Sequence, residues 1–215
     1  MTIDTPDADH DRAAAAEAEL IRTRDPERWD VRVGFDPGRW ICLPPAWPHD
    51  GHDDAPSWVE STGRAVAART MSPTRAQRKW LKRVLEKLAD WRTPNELKYL
   101  YLPSLDSDIS LLRIQFEPCE GDRDVELSAL VTESASPAIE PPVVTEVETE
   151  ALGAGKHALR YSMVDGVCSV MSVYGFRAPP FDLRITCEMG SVALVPALEP
   201  VVRDLVRGIS VVPGG

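Results

Sequence analysis

The sequence predicts an α+β protein in which an antiparallel β-sheet of about 6–8 strands is covered by helices. Residues 181–189 alternate strictly between apolar and polar side chains, as in a strand with one buried face. Residues 167–176 are almost all apolar or small, and residues 159–163 alternate again. Only Asp165-Gly166 and Ala178-Pro179-Pro180 separate these runs, so the three strands must be antiparallel neighbours.

The N-terminal residues 1–28 are predicted to form a disordered or marginally structured extension. Residues 1–10 contain too little apolar surface to offset the entropy of the chain. Asp9 or Asp11 could cap a short, alanine-rich helix over residues 13–22, which Pro26 would end.

Residues 29–58 are rich in tryptophan and proline, and residues 40–43 indicate a strand that Pro44-Pro45 ends. Two helices are predicted next, over residues 57–69 and from the N-cap Ser72 to about residue 92, as a helical insertion at about 57–92. The second helix has an apolar stripe that we expect to pack on the sheet.

The rest of the chain is predicted to be mainly β-structure. Residues 97–102 and 109–117 indicate a hairpin, and residues 125–132 and 143–152 indicate further strands. The acidic, proline-containing residues 133–142 are either a loop or a linker. A helix over residues 195–207 and a short apolar extension over 209–212 close the chain, so residues 29–213 are interpreted as a single α+β domain.

Charge and composition exclude some classes of protein. The formal net charge of −10 argues against nucleic-acid binding, which depends on cationic contacts to phosphate. No apolar run is long enough to cross a membrane, and the acidic N-terminus does not resemble a secretory signal, so a cytoplasmic protein is expected. The four cysteines have no C-x-x-C spacing and are expected to be free thiols.

The second predicted helix is strongly basic. Residues 72–92 contain seven cations and two anions, whereas the rest of the chain has a net charge of −15. Either this helix docks an acidic partner, or it is a solvated face that compensates acidic neighbours within the fold. The candidate partner-binding cations are Arg75, Arg78, Lys79, Lys82 and Arg83.

All six tryptophans lie within residues 29–91. Trp47 and Trp58 are candidate contacts to a protein partner, because exposed aromatic side chains often mark binding surfaces. The alternative is that aromatic side chains pack down a proline-rich segment in which regular structure is scarce.

Metal binding and catalysis have little support in the sequence. His49, His52 and Asp53 lie in a loop that could supply metal ligands, although a solvated turn explains the same residues and no metal or cofactor is expected. His157 shares a strand face with Leu159 and is interpreted as a partly buried strand residue, with an acid/base role as the alternative. No catalytic motif is present, so an enzyme is not the expected class.

Two segments resemble the PsbP-like α/β/α sandwich superfamily: RWICLPPAWP over residues 39–48, and ALEPVVRDLVRGISVV over residues 197–212. The order of elements over about residues 29–212 carries this resemblance, which implies a non-enzymatic accessory or binding role. The chain departs from the family in its two-helix insertion and in having no lipobox cysteine. The resemblance supplies no site residue.

The sequence thus leads to three hypotheses. The first is a non-enzymatic accessory or adaptor protein that binds a protein partner, with an acidic surface, through the Trp-rich segment and the basic helix. The second is a small-molecule carrier with a pocket between the sheet and the helices. The third is an enzyme of unknown class.

Overall fold

The computed structural model describes residues 19–22, 29–134, 137–164 and 166–213. Its α-helices, numbered α1 to α4 in chain order, are Ala55–Ala68, Arg75–Ala89, Arg123–Thr132 and Val195–Arg207, and a 3-10 turn spans Val192–Leu194. Strands β1 to β10 are Glu19–Arg22, Trp29–Val33, Trp40–Cys42, Glu96–Tyr101, Ser110–Pro118, Val144–Thr149, Gly153–Val164, Val167–Ala178, Phe181–Glu188 and Ile209–Pro213.

The strands form two antiparallel sheets, which confirms the predicted α+β fold. The larger sheet has seven strands in the order β3-β4-β5-β9-β8-β7-β6, and the smaller has the order β1-β2-β10. The predicted hairpin of β4 and β5 is present, as is the meander of β7, β8 and β9. The register pairs Leu112 of β5 with Cys187 of β9, two strands far apart in the sequence.

One face of the seven-stranded sheet, here called the α4 face, packs against α4 and the three-stranded sheet. Its buried side chains include Leu112, Ile114 and Tyr174, which share one core with Val202 of α4 and Val31 of β2. The alternation predicted for β9 is present here, because Leu183, Ile185 and Cys187 are all fully buried. This core is therefore built from both sheets and the last helix.

The opposite face, here called the α1–α3 face, is covered by helices at its two ends. Leu81 and Leu85 of α2 pack with Ile41 and Leu100 of the sheet, together with residues of α1. At the other end Val131 of α3 packs with strand residues of β7 and β8. Between these helices the face carries polar and charged side chains.

The strand predicted over residues 125–132 is wrong, because this segment is the helix α3. Asp122 caps the helix by accepting hydrogen bonds from the backbone N–H groups of Asp124 and Val125. Leu127 and Val131 are buried with helical spacing, whereas Val125 is 64% exposed. An alternating apolar pattern therefore becomes a helix with one narrow buried stripe.

Other boundaries differ from the sequence-based predictions. The N-cap of α2 is Thr74 rather than Ser72, and a capping box with Gln77 holds it. Trp29–Val33 and Ile209–Pro213 pair with each other as β2 and β10. The predicted N-terminal extension lies outside the described residues except for Glu19–Arg22, which is a strand and not the end of a helix.

Candidate functional site

The basic surface predicted from the sequence lies on α2, which packs beside α1. Its buried stripe of Leu81, Leu85 and Ala89 leaves the rest of the helix surface facing solvent. The five candidate cations are all exposed side chains: Arg75, Arg78, Lys79, Lys82 and Arg83. The structure therefore brings them together on one exposed helix surface.

Most of these cations have no acidic partner in the described part of the fold. Among the described residues, only Lys82 of the α2 cations forms an ion pair, with Glu86 one turn along the same helix at 3.7 Å. That pair is solvent-exposed and contributes little to stability. The alternative in which α2 compensates acidic neighbours thus finds little support in the part of the chain that is described.

A groove runs between α1 and α2 beside the basic surface, with a volume of about 790 Å³. Val59 and Leu81 give it an apolar floor, and Gly63 and Ala67 leave room because their side chains are small or absent. The rim is charged and consists of Glu60, Arg64, Arg78, Lys82, Glu86 and Asp90. An apolar side chain with acidic and basic neighbours could be accommodated here.

The tryptophans occupy different environments. Trp58 is only 3% exposed and lies in the core of α1 and α2, so the expectation that it contacts a partner is corrected. Trp47 is half-buried and lies edge-on to Trp58, with ring centroids 6.4 Å apart. Trp80 lies on the basic helix, Trp91 lies two residues after its end, and each is 40% exposed. Trp58 is therefore a core residue, whereas part of the aromatic surface of Trp80 and Trp91 is exposed to solvent.

The loop with His49, His52 and Asp53 forms a turn that leads into α1. His49 and His52 exchange two backbone hydrogen bonds of 2.8 Å, and the neighbouring Asp54 caps α1 by accepting from the N–H of Ser57 at 2.9 Å. The hydrogen bonds from Ser57 lower the pKa of Asp54. No cluster of three metal-capable side chains occurs among the described residues.

His157 belongs to a polar network between the α4 face and α4. Its Nε2 lies 2.9 Å from Oγ of Ser172, which donates to Glu199 at 3.3 Å. Tyr174 donates to the same carboxylate at 3.1 Å, and Arg203 does so at 2.9 Å. Burial lowers the pKa of His157, while burial and Glu199 raise the pKa of Tyr174. The sequence predicts a partly buried strand position for His157, which is buried in the structure, but it does not predict the partners of this side chain.

The network resembles a serine hydrolase triad in composition but differs in geometry. In a triad the histidine accepts the serine proton and a carboxylate binds the other ring nitrogen. Here Ser172 has one proton, which goes to Glu199, so Ser172 accepts its other hydrogen bond from Nε2–H of His157. Ser172 is also fully buried. The arrangement is suited to joining α4 to the sheet rather than to nucleophilic attack.

His157 also lines a cavity of about 300 Å³. Pro141, Pro142, Leu159 and Tyr161 supply most of its apolar wall. This volume lies at the lower limit of small-ligand sites, which is about 300 Å³. The cavity is next to β7 and the segment before β6, so it is not the pocket between sheet and helices that the carrier hypothesis expects.

None of the described helices combines the length and apolarity needed to cross a membrane. No protein-family model matches the sequence, and no curated protein matches it at a significant level.

Among solved structures, the chain is similar to that of PA94 from Pseudomonas aeruginosa, described as a protein of unknown function and candidate regulator. The two chains are 14% identical, and the alignment covers 55% of this chain and 83% of the other with a TM-score of 0.43. A likeness at this level assigns neither a fold family nor a function.

Proposed function

We propose that the protein is a non-enzymatic adaptor of the cytoplasm that binds an acidic segment of another protein across α2 and the groove between α1 and α2. One observation carries the proposal. Five of the six cations on α2 have no ion pair among the described residues, although residues outside 72–92 have a net charge of −15. The cations of α2 therefore face solvent, although the chain contains many acidic side chains that could have paired with them.

The groove supports a mixed apolar and electrostatic mode of binding. An apolar side chain of the partner would lie against Val59 and Leu81, where Gly63 leaves space. Carboxylates on either side of it would then be near Arg78 and Lys82 on the rim. Apolar contact would supply affinity, and the charges would select acidic segments over basic ones.

The surrounding acidity of the protein strengthens this selectivity. Nucleic acid and other polyanions would meet a net charge of −10 over the whole chain, so a long polyanion is repelled away from α2. A short acidic segment can reach α2 alone. We therefore expect binding that weakens as the ionic strength rises.

The other two hypotheses have less support. The polar network of His157 lacks an accessible nucleophile, and the cavity beside it is small. The resemblance to the PsbP-like superfamily stays a prediction, and the accessory role that it implies agrees with an adaptor.

A defined peptide tests the proposal. The probe is a fluorescent helical peptide with two leucines at i and i+4 flanked by glutamates, and its binding is followed by fluorescence anisotropy. The variant Arg78→Glu/Lys79→Glu/Lys82→Glu/Arg83→Glu should bind at least about tenfold more weakly, because four attractions become repulsions. Circular dichroism checks that this variant stays folded.

A second variant separates the groove from the charges. Gly63→Leu fills the groove without altering any charge, and a Cβ at this position has only Leu85 nearby, at 3.9 Å. It should weaken binding of the acidic peptide as well. Equal binding by the wild type and the charge-reversed variant, or equal affinity for a peptide with lysine in place of glutamate, would contradict the proposal.

A further inference from the structure

The two-helix insertion that carries the groove is basic as a whole. Residues 55–92 contain nine lysines and arginines and three acidic residues, which gives a net charge of +6. Two of the three carboxylates already pair with a cation, Glu60 with Arg64 at 2.7 Å and Glu86 with Lys82 at 3.7 Å. The insertion therefore has few carboxylates of its own with which to balance α2.

The loop after β4 also brings a carboxylate to α2. Asp106 of this loop accepts a hydrogen bond from Nε2 of Gln77 at 2.7 Å, so it contacts an amide and not a cation. Arg75, Lys79 and Arg83, which lie one turn apart along the helix, are all exposed. This row of cations can be reached from solvent.

The segment before β1 has the opposite charge. Residues 1–11 contain no lysine or arginine and have a net charge of −4 with histidine neutral, which comes from Asp4, Asp7, Asp9 and Asp11. Ile3 places an apolar side chain directly before the first of these aspartates. The groove beside α2 offers an apolar floor and rim cations to a segment of this composition.

Strand β1 begins close to the C-terminal end of α1. Glu19, the first residue of β1, pairs with Val33, which leads into the turn that contains Gly38. Arg69, the C-cap residue of α1, donates to the carbonyl oxygen of Gly38 at 3.0 Å. Residues 1–18 therefore join the described chain near the end of the helix that lines the groove.

The first turn of α2 lies beside that end of α1. Helix α1 ends at Ala68 and α2 begins at Arg75, and the groove places Ala67 together with Arg78. An extended stretch of 18 residues spans up to about 60 Å, whereas a helix of 15 residues is about 22 Å long. Residues 1–18 are thus long enough to follow the whole basic surface of α2.

A segment of the same chain has an advantage over a free partner at this surface. Its effective concentration is about 1 mM when the connection is short and spans the distance. A second copy of the protein at about 10 µM would be roughly 100-fold less concentrated. Individual solvent-exposed charge pairs are weak, but four aspartates facing a row of cations act together.

We propose that residues 1–11 bind across α2 and the groove between α1 and α2 in the free protein. An acidic segment of a partner then has to displace them, so the chain carries its own inhibitor of partner binding. The displacement rests on the proposed adaptor function, whereas the docking of residues 1–11 can be measured without a partner.

A carbodiimide, which joins a carboxylate to an amine in contact with it, tests the docking in the full-length protein. Lys79, Lys82 and Lys87 of α2 are three of the five lysines in the chain. Mass spectrometry should identify cross-links from residues 1–11 to these lysines. In a mixture of unlabelled and ¹⁵N-labelled protein, the links should join residues of the same isotope.

A charge-reversed variant that keeps the lysines is the control for their accessibility. Arg75→Glu/Arg78→Glu/Arg83→Glu leaves all three amines in place but repels the aspartates, so the yield of these links should fall at least about threefold. Circular dichroism checks its fold. No such links in the wild type, or an equal yield in the variant, would overturn the docking. Links only between unlike isotopes would assign the surface to a second copy and also overturn it.

Fluorescence anisotropy with the leucine–glutamate peptide tests the displacement. Asp4→Asn/Asp7→Asn/Asp9→Asn/Asp11→Asn should bind the peptide at least about threefold more tightly than the wild type, because its surface is no longer occupied. Glu120→Gln/Glu140→Gln/Glu148→Gln/Glu150→Gln is the matched control. It changes the net charge equally at exposed positions outside residues 1–11 and 55–92, so it should bind the peptide like the wild type.

The two measurements separate this inference from the adaptor function. Equal peptide affinity in the wild type and the aspartate variant would overturn the displacement and leave the adaptor function standing. An equal gain in both variants would overturn it as well, because net charge alone would explain the gain. If the peptide bound neither protein, the adaptor function and the displacement would both fall, and the cross-links would still decide the docking.

Discussion

Nζ of Lys98 lies 2.9 Å from Oε2 of Glu96, and both side chains are almost completely buried on the α1–α3 face. The ring of Trp91 covers the ammonium group at 5.2 Å. Two charges two residues apart on β4 are thus removed from water and stabilise each other. Such a pair is costly to break, because either partner alone leaves a buried charge.

Lys98→Met should therefore lower the free energy of unfolding by about 3–5 kcal/mol, because among the described residues Glu96 then keeps only Arg113 as an ion-pair partner, at 3.6 Å. The double variant Glu96→Gln/Lys98→Met should lose less than the single variant. Urea unfolding followed by fluorescence measures both. If Lys98→Met were as stable as the wild type, solvent would already screen the charges of Lys98 and Glu96.

The stability of the protein should fall when the pH drops below the usual pKa of histidine. Burial lowers the pKa of His157 from its ordinary value of 6.5, so the unfolded chain takes up a proton before the folded protein does. The loss begins as the pH falls through 6.5 and ends at the lower folded pKa. The groups that face His157 are Glu199, which opposes the shift, together with Arg203 and Tyr174.

Urea unfolding of the wild type and His157→Gln at neutral and mildly acidic pH isolates this effect. Glutamine can still hydrogen bond to Ser172 but has no titration in this range. Between neutral and mildly acidic pH, the free energy of unfolding should fall more for the wild type than for His157→Gln. Parallel losses in the two proteins would assign the pH dependence to other groups.

Gly208→Ala should destabilise the protein by about 1–3 kcal/mol, because the added Cβ would overlap the carbonyl oxygen of Gly34. These two residues join α4 to the three-stranded sheet through a 2.8 Å hydrogen bond from the N–H of Gly34 to the carbonyl of Gly208. Gly63→Ala is the control, since its Cβ has space and alanine favours a helix by about 0.5–1 kcal/mol. Thermal unfolding compares the two variants. A melting temperature of Gly208→Ala equal to that of the wild type would mean that the backbones at Gly34 and Gly208 can move apart at little cost.

Patterns that depend on near neighbours in the chain were predicted well. The predicted bounds of α4 agree with Val195–Arg207, and β9 alternates as expected over Phe181–Glu188. The error at Arg123–Thr132 arose because four apolar residues at every second position fit a strand, although Asp122 and the acidic first turn were signals for a helix start.

The candidate site was predictable only in part. The basic character of α2 is visible in the sequence, since helical spacing keeps Leu81 and Leu85 inside and leaves the cations outside. The sequence left the burial of Trp58 open, because a tryptophan in a proline-rich segment can either pack that segment down or contact a partner. The partners of His157 come from β8 and α4, which no local pattern joins to β7.

The sequence by itself determined the strands β7, β8 and β9, the short turns that join them, and the basic character of α2. These properties depend on the period of side chains along the backbone and on residues a few positions apart. Only the tertiary structure decided that β5 lies beside β9 and β2 beside β10. In the sequence, Arg113 and Arg184 each belong to the polar face of a separate strand. They lie on neighbouring strands because β5 and β9 pair and bury the apolar side chains of both strands on the opposite face of the sheet.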